Sequence, residues 1–315
     1  MNRYLMLWAV LLLGSLICHP QTKTGRYLYV VGCDALVDKL DTVTDQKMAA
    51  YDLAKRTGKE QLIPAVTGTL DGCLAYQAVY DDKASVFYTI VPVEAQPKPD
   101  GTKDYRVLGF SVPELTLAKS MNGGENANDP PHLEAGKGQP VKVVTASEWR
   151  PQTELDLSTF APDKKNIPNQ ILETSGEKVL LRIFTANRNE LALAVADRKS
   201  KTLVRLQDTP STFAPNVHLA PGGDDVLVEE ALQSGSQVTK TGKLLLYSAS
   251  TGKPIKELSG QHIQELYFLA ISPTGKAIYH SSDKYSFIDL GKTFVPDVVT
   301  RPIPTGYPGL FFADK

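Results

Sequence analysis

The sequence contains few cysteines and few tryptophans, and it lacks the short motifs that mark common catalytic and metal sites. Among its 315 residues there are three cysteines and two tryptophans. No Cys-x-x-Cys pair occurs, which excludes thioredoxin-like chemistry and zinc ribbons. His-x-His and His-Glu-x-x-His are absent, so no local metal site is predicted, and the absence of Gly-x-Ser-x-Gly argues against an α/β-hydrolase. No cofactor is therefore expected.

A surplus of basic residues is also missing. The chain has 34 Lys and Arg against 35 Asp and Glu, giving a formal net charge of −1. Nucleic acids and anionic membranes attract proteins through clustered basic surfaces. Neither kind of partner is predicted, and the charge balance is that of an ordinary mixed surface.

The N-terminus has the pattern of an export signal. Arg3 supplies a positive charge ahead of Leu5–Ile17, a mostly apolar run of 13 residues. This length suits a secretory signal and is short for a bilayer span. We expect residues 1–21 to be a signal peptide, with cleavage after Cys18 as an alternative, and export to the periplasm or the exterior. No integral membrane span is predicted after its removal; a retained anchor is the alternative.

Two cysteines remain if the signal leaves, Cys33 and Cys73. In an oxidising compartment they could form a disulfide that links the first two sets of strands. They could equally be two small buried apolar residues. Both interpretations stay open.

The stretch from Lys243 to Asp289 predicts short strands joined by turns. Its apolar runs are separated by Thr-Gly-Lys, Ser-Gly, Pro-Thr-Gly-Lys and Ser-Ser-Asp-Lys. Gly in such turns supplies a positive φ, and none of the Thr-Gly-Lys copies meets the spacing of a phosphate-binding loop. A pattern of this kind, an apolar strand followed by a polar turn and a second strand, recurs at 49–64, 107–121, 193–207, 244–260 and 285–299. A second pair of strands lies between the copies at 74–90, 169–185, 216–230 and 266–282.

Together these pairs give four strands per unit, repeating about every 40 to 58 residues, which is the period of propeller blades. We predict an all-β chain in which residues 22–315 form one β-propeller domain with six four-stranded blades; five or seven blades are the alternatives. Residues 122–168 form an irregular segment that is either a degenerate blade or an insertion. Val141–Thr145 and Glu154–Leu157 are its candidate strands.

The two ends of the domain each carry a strand without a complete blade, at 26–32 and 307–315. An unpaired strand exposes backbone hydrogen-bonding groups. We therefore predict that the C-terminal strand pairs with the N-terminal blade and closes the ring.

Ser272-Pro273-Thr274-Gly275, followed by a strand, and the looser Ala220-Pro221-Gly222-Gly223 carry a family resemblance. Residues 243–291 in particular resemble the repeats of the YVTN and quinoprotein amine dehydrogenase heavy-chain-like propellers, a WD40-like superfamily. The resemblance implies a propeller fold and an exported protein. Because that group includes enzyme subunits, lactonases, surface proteins and binding scaffolds, it implies little about chemistry.

Four acids, Asp34, Asp38, Asp41 and Asp45, crowd the loop after the first strand. Their spacing fails the ligand pattern of a calcium loop and predicts the solvated face of a short helix.

Propellers can gather residues from separate blades at the central channel. His218, His262 and Glu265 are the candidate residues for the channel mouth, because they lie at the entrances of inner strands. Glu173 and Arg182 are further polar residues that could join them. Buried, satisfied or exposed histidines are the ordinary alternative.

The sequence predicts an exported, monomeric propeller that binds or scaffolds a protein, peptide or small ligand. The alternative is a propeller enzyme or enzyme subunit, lactonase-like or amine-dehydrogenase-like, with its site at the channel mouth.

Overall fold

The described part of the chain is built almost entirely from β-strands. The computed structural model describes residues 25–31, 36–52, 78–93, 98–126, 131–134, 140–144, 154–164, 167–184, 190–207, 216–234, 237–281, 284–292, 296–300 and 309–315. Its only helical elements in these ranges are α1 (Gln261–Gln264) and the 3₁₀ turns Leu157–Thr159 and Pro162–Lys164. Within the described residues, no helix has the length and apolar composition needed to cross a bilayer. The all-β prediction is confirmed.

The strands form six antiparallel sheets, numbered I to VI. The first half of the chain supplies β1 (Tyr27–Val31), β2 (Leu36–Asp41), β3 (Gln46–Asp52), β4 (Ala78–Asp81), β5 (Val86–Pro92), β6 (Lys103–Ser111), β7 (Leu117–Asn126), β8 (His132–Glu134) and β9 (Lys142–Val144). The next strands are β10 (Asn169–Ser175), β11 (Lys178–Phe184), β12 (Glu190–Asp197), β13 (Thr202–Arg205), β14 (Val217–Leu219), β15 (Asp225–Ser234), β16 (Gln237–Ser248) and β17 (Pro254–Ser259). The last are β18 (Tyr267–Ile271), β19 (Lys276–His280), β20 (Lys284–Asp289), β21 (Pro296–Thr300) and β22 (Gly309–Ala313).

Within the described residues, five of the six sheets have four strands. Sheet I has the order β22-β1-β2-β3, sheet II contains β4 to β7, and sheet III is the pair β8-β9. Sheets IV, V and VI contain β10 to β13, β14 to β17 and β18 to β21, each in simple chain order. Such four-stranded meanders are the units that the repeated phrase predicted.

The Thr-Gly-Lys copies at 251–253 and 274–276 lie at turns between strands, whereas Thr241-Gly242-Lys243 lies inside β16, so the turn prediction is wrong for that copy; residues 57–59 lie outside the described residues. Gly252 has a φ of 69°, and a Cβ at this position would lie 2.1 Å from the carbonyl oxygen of Arg205. Another residue would therefore be strained and would clash with sheet IV. The interpretation of this motif as a turn is confirmed at Gly252.

Each four-stranded sheet buries an apolar face against its neighbour. Tyr29 and Phe311 of sheet I pack on Phe87 and Phe110 of sheet II. The opposite face of sheet I packs on sheet VI, through residues such as Leu28, Val30, Tyr285 and Phe287. Sheet V packs on sheet VI with one face and on sheet IV with the other. Apolar residues on both sides of a strand, as in Tyr27–Val31, follow from this double burial.

The segment between sheets II and IV is irregular. β9 lies within the predicted strand Val141–Thr145, and sheet III packs on the outer face of sheet II through Leu133 and Val143. The predicted strand at Glu154–Leu157 is wrong, because a 3₁₀ turn begins at Leu157 and packs on sheet IV. Asn169 fixes this backbone: its side chain accepts a hydrogen bond from the Leu155 N–H at 2.8 Å and donates one to the Leu155 carbonyl at 3.0 Å.

The two ends of the chain share sheet I, as predicted. In the β1–β22 pair, Leu28 lies opposite Phe312, Tyr29 opposite Phe311, and Val30 opposite Leu310. The Phe311 ring stacks 4.8 Å from Tyr29 and 4.8 Å from Phe87, so the last strand also contributes to the contact with sheet II. The number of blades and the closure of a ring stay predictions.

Asp38 and Asp41 do not lie on a solvated helical face, and Asp34 is outside the described residues. Asp38 and Asp41 lie on β2 and are 1% and 2% exposed. Asp38 accepts a hydrogen bond from the Tyr285 hydroxyl at 2.7 Å and forms an ion pair with Lys47 at 2.7 Å. Pairing of β2 between β1 and β3 outweighs the local helical spacing, so that prediction is wrong.

Phe311→Ala tests the contribution of the C-terminal strand. Removing a buried ring that stacks on three others, Tyr29, Tyr80 and Phe87, should lower the free energy of unfolding by about 3–5 kcal/mol, measured by urea denaturation. Tyr267→Ala, at an aromatic residue that is 57% exposed, is the control and should cost less than about 1 kcal/mol. Equal stability of Phe311→Ala and the wild type would contradict the role of β22.

Arg26→Met tests the ion pair beside β1. Arg26 donates to both carboxylate oxygens of Asp41, at 2.9 and 2.5 Å. Burial raises the pKa of Asp41, but the bonds from Arg26 and from the N–H groups of Val43 and Thr44 outweigh it and lower the pKa from 3.8 to about 2. Because the folded state has the lower pKa, this contribution is complete above pH 4 and is lost as the pH falls towards 2.

Thermal melts between pH 5 and pH 2 should therefore show a smaller loss of stability for Arg26→Met than for the wild type. Lys83→Met, at an exposed lysine, is the control. A pH dependence of Arg26→Met as steep as that of the wild type would refute the assignment.

Candidate functional site

The first strands of the sheets bring residues from distant parts of the sequence together. β22, β4, β10, β14 and β18 each form the first edge of a four-stranded sheet. β10 contacts β14, and β22 contacts β4, across the boundaries between sheets. Side chains on these strands can therefore meet although they are many residues apart.

One such meeting involves Glu173 of sheet IV, His218 of sheet V and Phe268 of sheet VI. His218 Nδ1 lies 2.6 Å from Glu173 Oε1, and the second carboxylate oxygen accepts a hydrogen bond from the Leu219 N–H at 2.7 Å. The imidazole ring stacks on Phe268 with 3.5 Å between ring centroids and 12° between planes. We call these three residues the His218 cluster.

Two β-bulges orient the His218 cluster. In β10 the register shifts between Ile171 and Glu173, so that Glu173 lies opposite Leu180. Leu180 packs in the interface with sheet V, and the shift therefore directs Glu173 towards His218. β18 has a similar shift directly after Phe268. Without the first bulge, Glu173 would follow the alternation of Ile171 and face away from sheet V.

The free nitrogen of His218 is the unusual feature of the cluster. A carboxylate at Nδ1 keeps the proton on that nitrogen, so Nε2 is the hydrogen-bond acceptor of the neutral ring. Nε2 is buried and has no hydrogen-bond partner among the described residues. A buried polar atom without a partner costs free energy, which a ligand or a bound water can recover. The side chains of His218 and Glu173 are 18% and 35% exposed, so other atoms of the cluster border solvent while Nε2 itself is covered.

A buried ion pair extends the polar region beside His218. Lys240 lies 2.8 Å from Glu229 Oε1 and donates to the Leu266 carbonyl at 2.6 Å. The Asn216 amide donates to the other oxygen of Glu229. The ammonium of Lys240 also lies 4.8 Å from the ring centroid of the exposed Tyr267. Because Glu229 is 2% exposed, it needs both partners to offset its desolvation.

His280 is next to this region, on β19 opposite Tyr267. Burial lowers the pKa of His280, and the positive charge of Lys240 acts in the same direction. The His280 ring is therefore mainly neutral at pH 7. Its neutral ring and the compensated Glu229–Lys240 pair add little net charge to the surroundings of the His218 cluster.

The structure brings together some of the residues singled out in the sequence and leaves others apart. His218 and Glu173 are in contact, whereas Arg182 lies on β11, one strand further out. Glu265 is exposed at the end of α1, and the described residues show no contact between it and the His218 cluster. His262 lies in α1 with its side chain outside the described part. Cys33, Cys73 and the predicted signal at 1–21 also lie outside the described residues.

Phe268, Asn216, Glu229 and Lys240 were not identified from the sequence. No local motif marks them, because their association depends on the packing of sheets IV, V and VI. In the described ranges, no group of three or more His, Cys, Asp or Glu side chains is placed to hold a metal ion.

No family model and no curated protein matches the chain. Solved structures similar to it include apo AztD from Citrobacter koseri, with 9% identity over 91% of this chain and 98% of the other and a TM-score of 0.33. A protein of Bacteroides fragilis named as a candidate 6-phosphogluconolactonase has 10% identity, coverage of 93% and 99%, and a TM-score of 0.46. The WD40 β-propeller domain of Doa1 has 10% identity, coverage of 89% and 80%, and a TM-score of 0.38. Similarities of this size carry no argument about the function of the chain.

Proposed function

We propose that the chain is an exported β-propeller that binds a small ligand or a short peptide segment at the His218 cluster. The propeller is supported by the meander order of the four-stranded sheets, by the burial of sheets I and V between two neighbours, and by the sharing of sheet I between the chain ends. Sheet III and the 3₁₀ segment at 154–164 would form a reduced sixth blade. Export is supported by the apolar run Leu5–Ile17 after Arg3.

We also propose that the chain belongs to the YVTN and amine dehydrogenase heavy-chain-like superfamily, on the basis of the sequence motif Ser272–Gly275. That phrase forms the turn between β18 and β19, where the Ser272 hydroxyl accepts a hydrogen bond from the Lys276 N–H at 3.0 Å. A turn of this kind specifies a blade, and it does not specify a chemistry.

The observation that carries the binding function is the unpartnered, buried Nε2 of His218. Its position is fixed from one side by Glu173 and from the other by Phe268. A preorganised acceptor beside an aromatic face is suited to a ligand that donates a hydrogen bond and presents an apolar surface. Hydroxyl and amine groups meet the first requirement. A monomer suffices for such a site, because all three residues belong to one chain.

Ligand-observed NMR with polyols, sugars and amino acids can identify a probe, and the ¹⁵N signals of the His218 ring can report where it binds. We expect at least one compound to shift the Nε2 resonance of the wild-type protein. Glu173→Gln should lower the affinity for that compound by about tenfold, because the charge-assisted hydrogen bond that orients the His218 ring is replaced by a neutral one.

Glu265→Gln is the matched control. Glu265 is an exposed glutamate in the connection between sheets V and VI, and the described residues show no contact between it and the His218 cluster. The control should bind as the wild type does. A library that leaves the His218 signals unchanged, or a Glu173→Gln variant that binds with wild-type affinity, would refute the proposed site.

A second candidate function is hydrolysis of a lactone with His218 as general base. The 2.6 Å contact between Nδ1 and Glu173 would orient Nε2 to take a proton from water as it attacks the ester carbonyl, and ring opening would give the hydroxy acid. Turnover of glucono-δ-lactone by the wild type that is lost in His218→Ala would favour this function. Equal rates for the two proteins would remove it.

A further inference from the structure

Lys39 is a half-buried lysine in the interior of sheet I, away from the His218 cluster. It lies on β2, opposite Tyr29 of β1 and Ala49 of β3. Val37, two residues earlier on the same face of β2, packs in the core between sheets I and II, so Lys39 lies on the face that turns towards sheet II. Among the described residues, no carboxylate lies within ion-pair distance of the Lys39 ammonium group, and no acceptor takes a hydrogen bond from it.

Aromatic rings occupy the place that an acid would have beside Lys39. Its ammonium nitrogen lies 4.1 Å from the ring centroid of Tyr27 and 5.5 Å from that of Tyr29. Ring faces attract a cation, but they do not accept its N–H groups as a carboxylate or water does. The Lys39 ammonium group is therefore partly removed from water without a negative charge to compensate it.

Asp41, two residues further along the same face of β2, is engaged elsewhere. Arg26 donates to both of its carboxylate oxygens, at 2.9 and 2.5 Å. The N–H groups of Val43 and Thr44 donate to Asp41 Oδ1 at 2.9 and 3.4 Å. Arg26 thus takes the acid that could have paired with Lys39, and it places a second positive charge near the amine.

These surroundings favour the neutral form of the amine. Burial lowers the pKa of Lys39, the charge of Asp41 raises it by less, and the charge of Arg26 lowers it further. A lysine that is partly desolvated and close to another cation is activated as a nucleophile, because a larger fraction of it carries a free electron pair at neutral pH.

The other ionisable groups on this face add no charge at the amine. Tyr27 and Tyr29 of β1 and Tyr51 of β3 contribute hydroxyl groups, which are neutral at pH 7. Glu114, in the turn after β6, acts on Tyr29, whereas the charges that act on Lys39 are those of Asp41 and Arg26.

We propose that the amine of Lys39 is a covalent attachment site for small aldehydes. The neutral nitrogen attacks the carbonyl carbon and gives a carbinolamine, which loses water as the C–O bond breaks and a C=N bond forms. This imine formation needs no oxidant or reductant, and hydrolysis reverses it. The proposal goes beyond the binding function assigned to the His218 cluster and does not depend on it.

Competitive labelling of the full chain at pH 7 tests the reactivity of Lys39. Acetaldehyde is added below the protein concentration, cyanoborohydride traps the imine as N-ethyl-lysine, and peptide mass spectrometry gives the labelling rate of each lysine. Lys39 should react at least about threefold faster than the exposed Lys83, since the fraction of neutral amine rises as the pKa falls. A rate for Lys39 equal to or below that of Lys83 would overturn the proposal.

The pH dependence separates the state of the amine from its accessibility. At pH 10 an ordinary lysine also loses its proton to a large extent, so the ratio of the Lys39 and Lys83 rates should fall towards one. A ratio that is the same at pH 7 and pH 10 would attribute the reactivity to accessibility alone and would contradict the assignment.

Arg26→Met tests the role of the neighbouring ion pair. The substitution removes a cation near Lys39 and leaves Asp41 free to attract its ammonium group, so the rate ratio at pH 7 should fall by about threefold. Lys98→Met, which removes the cation of an ion pair with Asp104 on sheet II, is the matched control and should leave the ratio unchanged. A folded Arg26→Met protein with the wild-type ratio would refute the mechanism of activation, and the wild-type labelling decides the proposal even where the variant does not fold.

Discussion

Burial of both faces of each sheet is the constraint on which the rest of the structure depends. A four-stranded meander with apolar residues on both sides cannot be stable alone, because one face would always contact water. Sheets I and V satisfy this condition by packing between two neighbours. The shared sheet I extends the same principle to the chain ends, since β22 supplies Phe311 to the core between sheets I and II.

Buried polar groups occur where this stacking brings different sheets together. Asp38, Lys47 and Tyr285 join sheets I and VI, and the hydroxyl of Tyr285 is kept protonated because burial raises its pKa and Asp38 adds to the effect. Glu229 and Lys240 are paired in sheet V. In both places each charge has a partner at hydrogen-bonding distance, which offsets the cost of removing it from water. Glu229 Oε1 makes no hydrogen bond but lies 2.8 Å from the Lys240 ammonium, whereas His218 Nε2 has neither a hydrogen bond nor an ionic partner among the described residues.

The boundaries between neighbouring sheets differ in the side chains that they bring together. The His218 cluster lies along the first strands of sheets IV, V and VI. It contains one buried hydrogen-bond acceptor, His218 Nε2, that has no donor among the described residues. A pocket lined by Tyr80, Pro273 and Phe312 lies at the turns of sheets VI, I and II. Since the sheets meet at several such boundaries, the side chains can differ from one boundary to the next without altering the fold.

The sequence by itself determined the strands, the turns and the pairing of the ends. Apolar runs separated by Thr-Gly-Lys and Pro-Thr-Gly are local signals, and the orphan strands at 26–32 and 307–315 required a partner. His218 was a candidate from its place before a strand, but its partner Glu173 is 45 residues away. Only the tertiary structure decided that contact, because a bulge in β10 sets the direction of Glu173 and sheet packing sets its neighbour. The same reason explains the errors at Asp38 and at Glu154–Leu157, where long-range pairing and the Asn169 side chain outweighed local spacing.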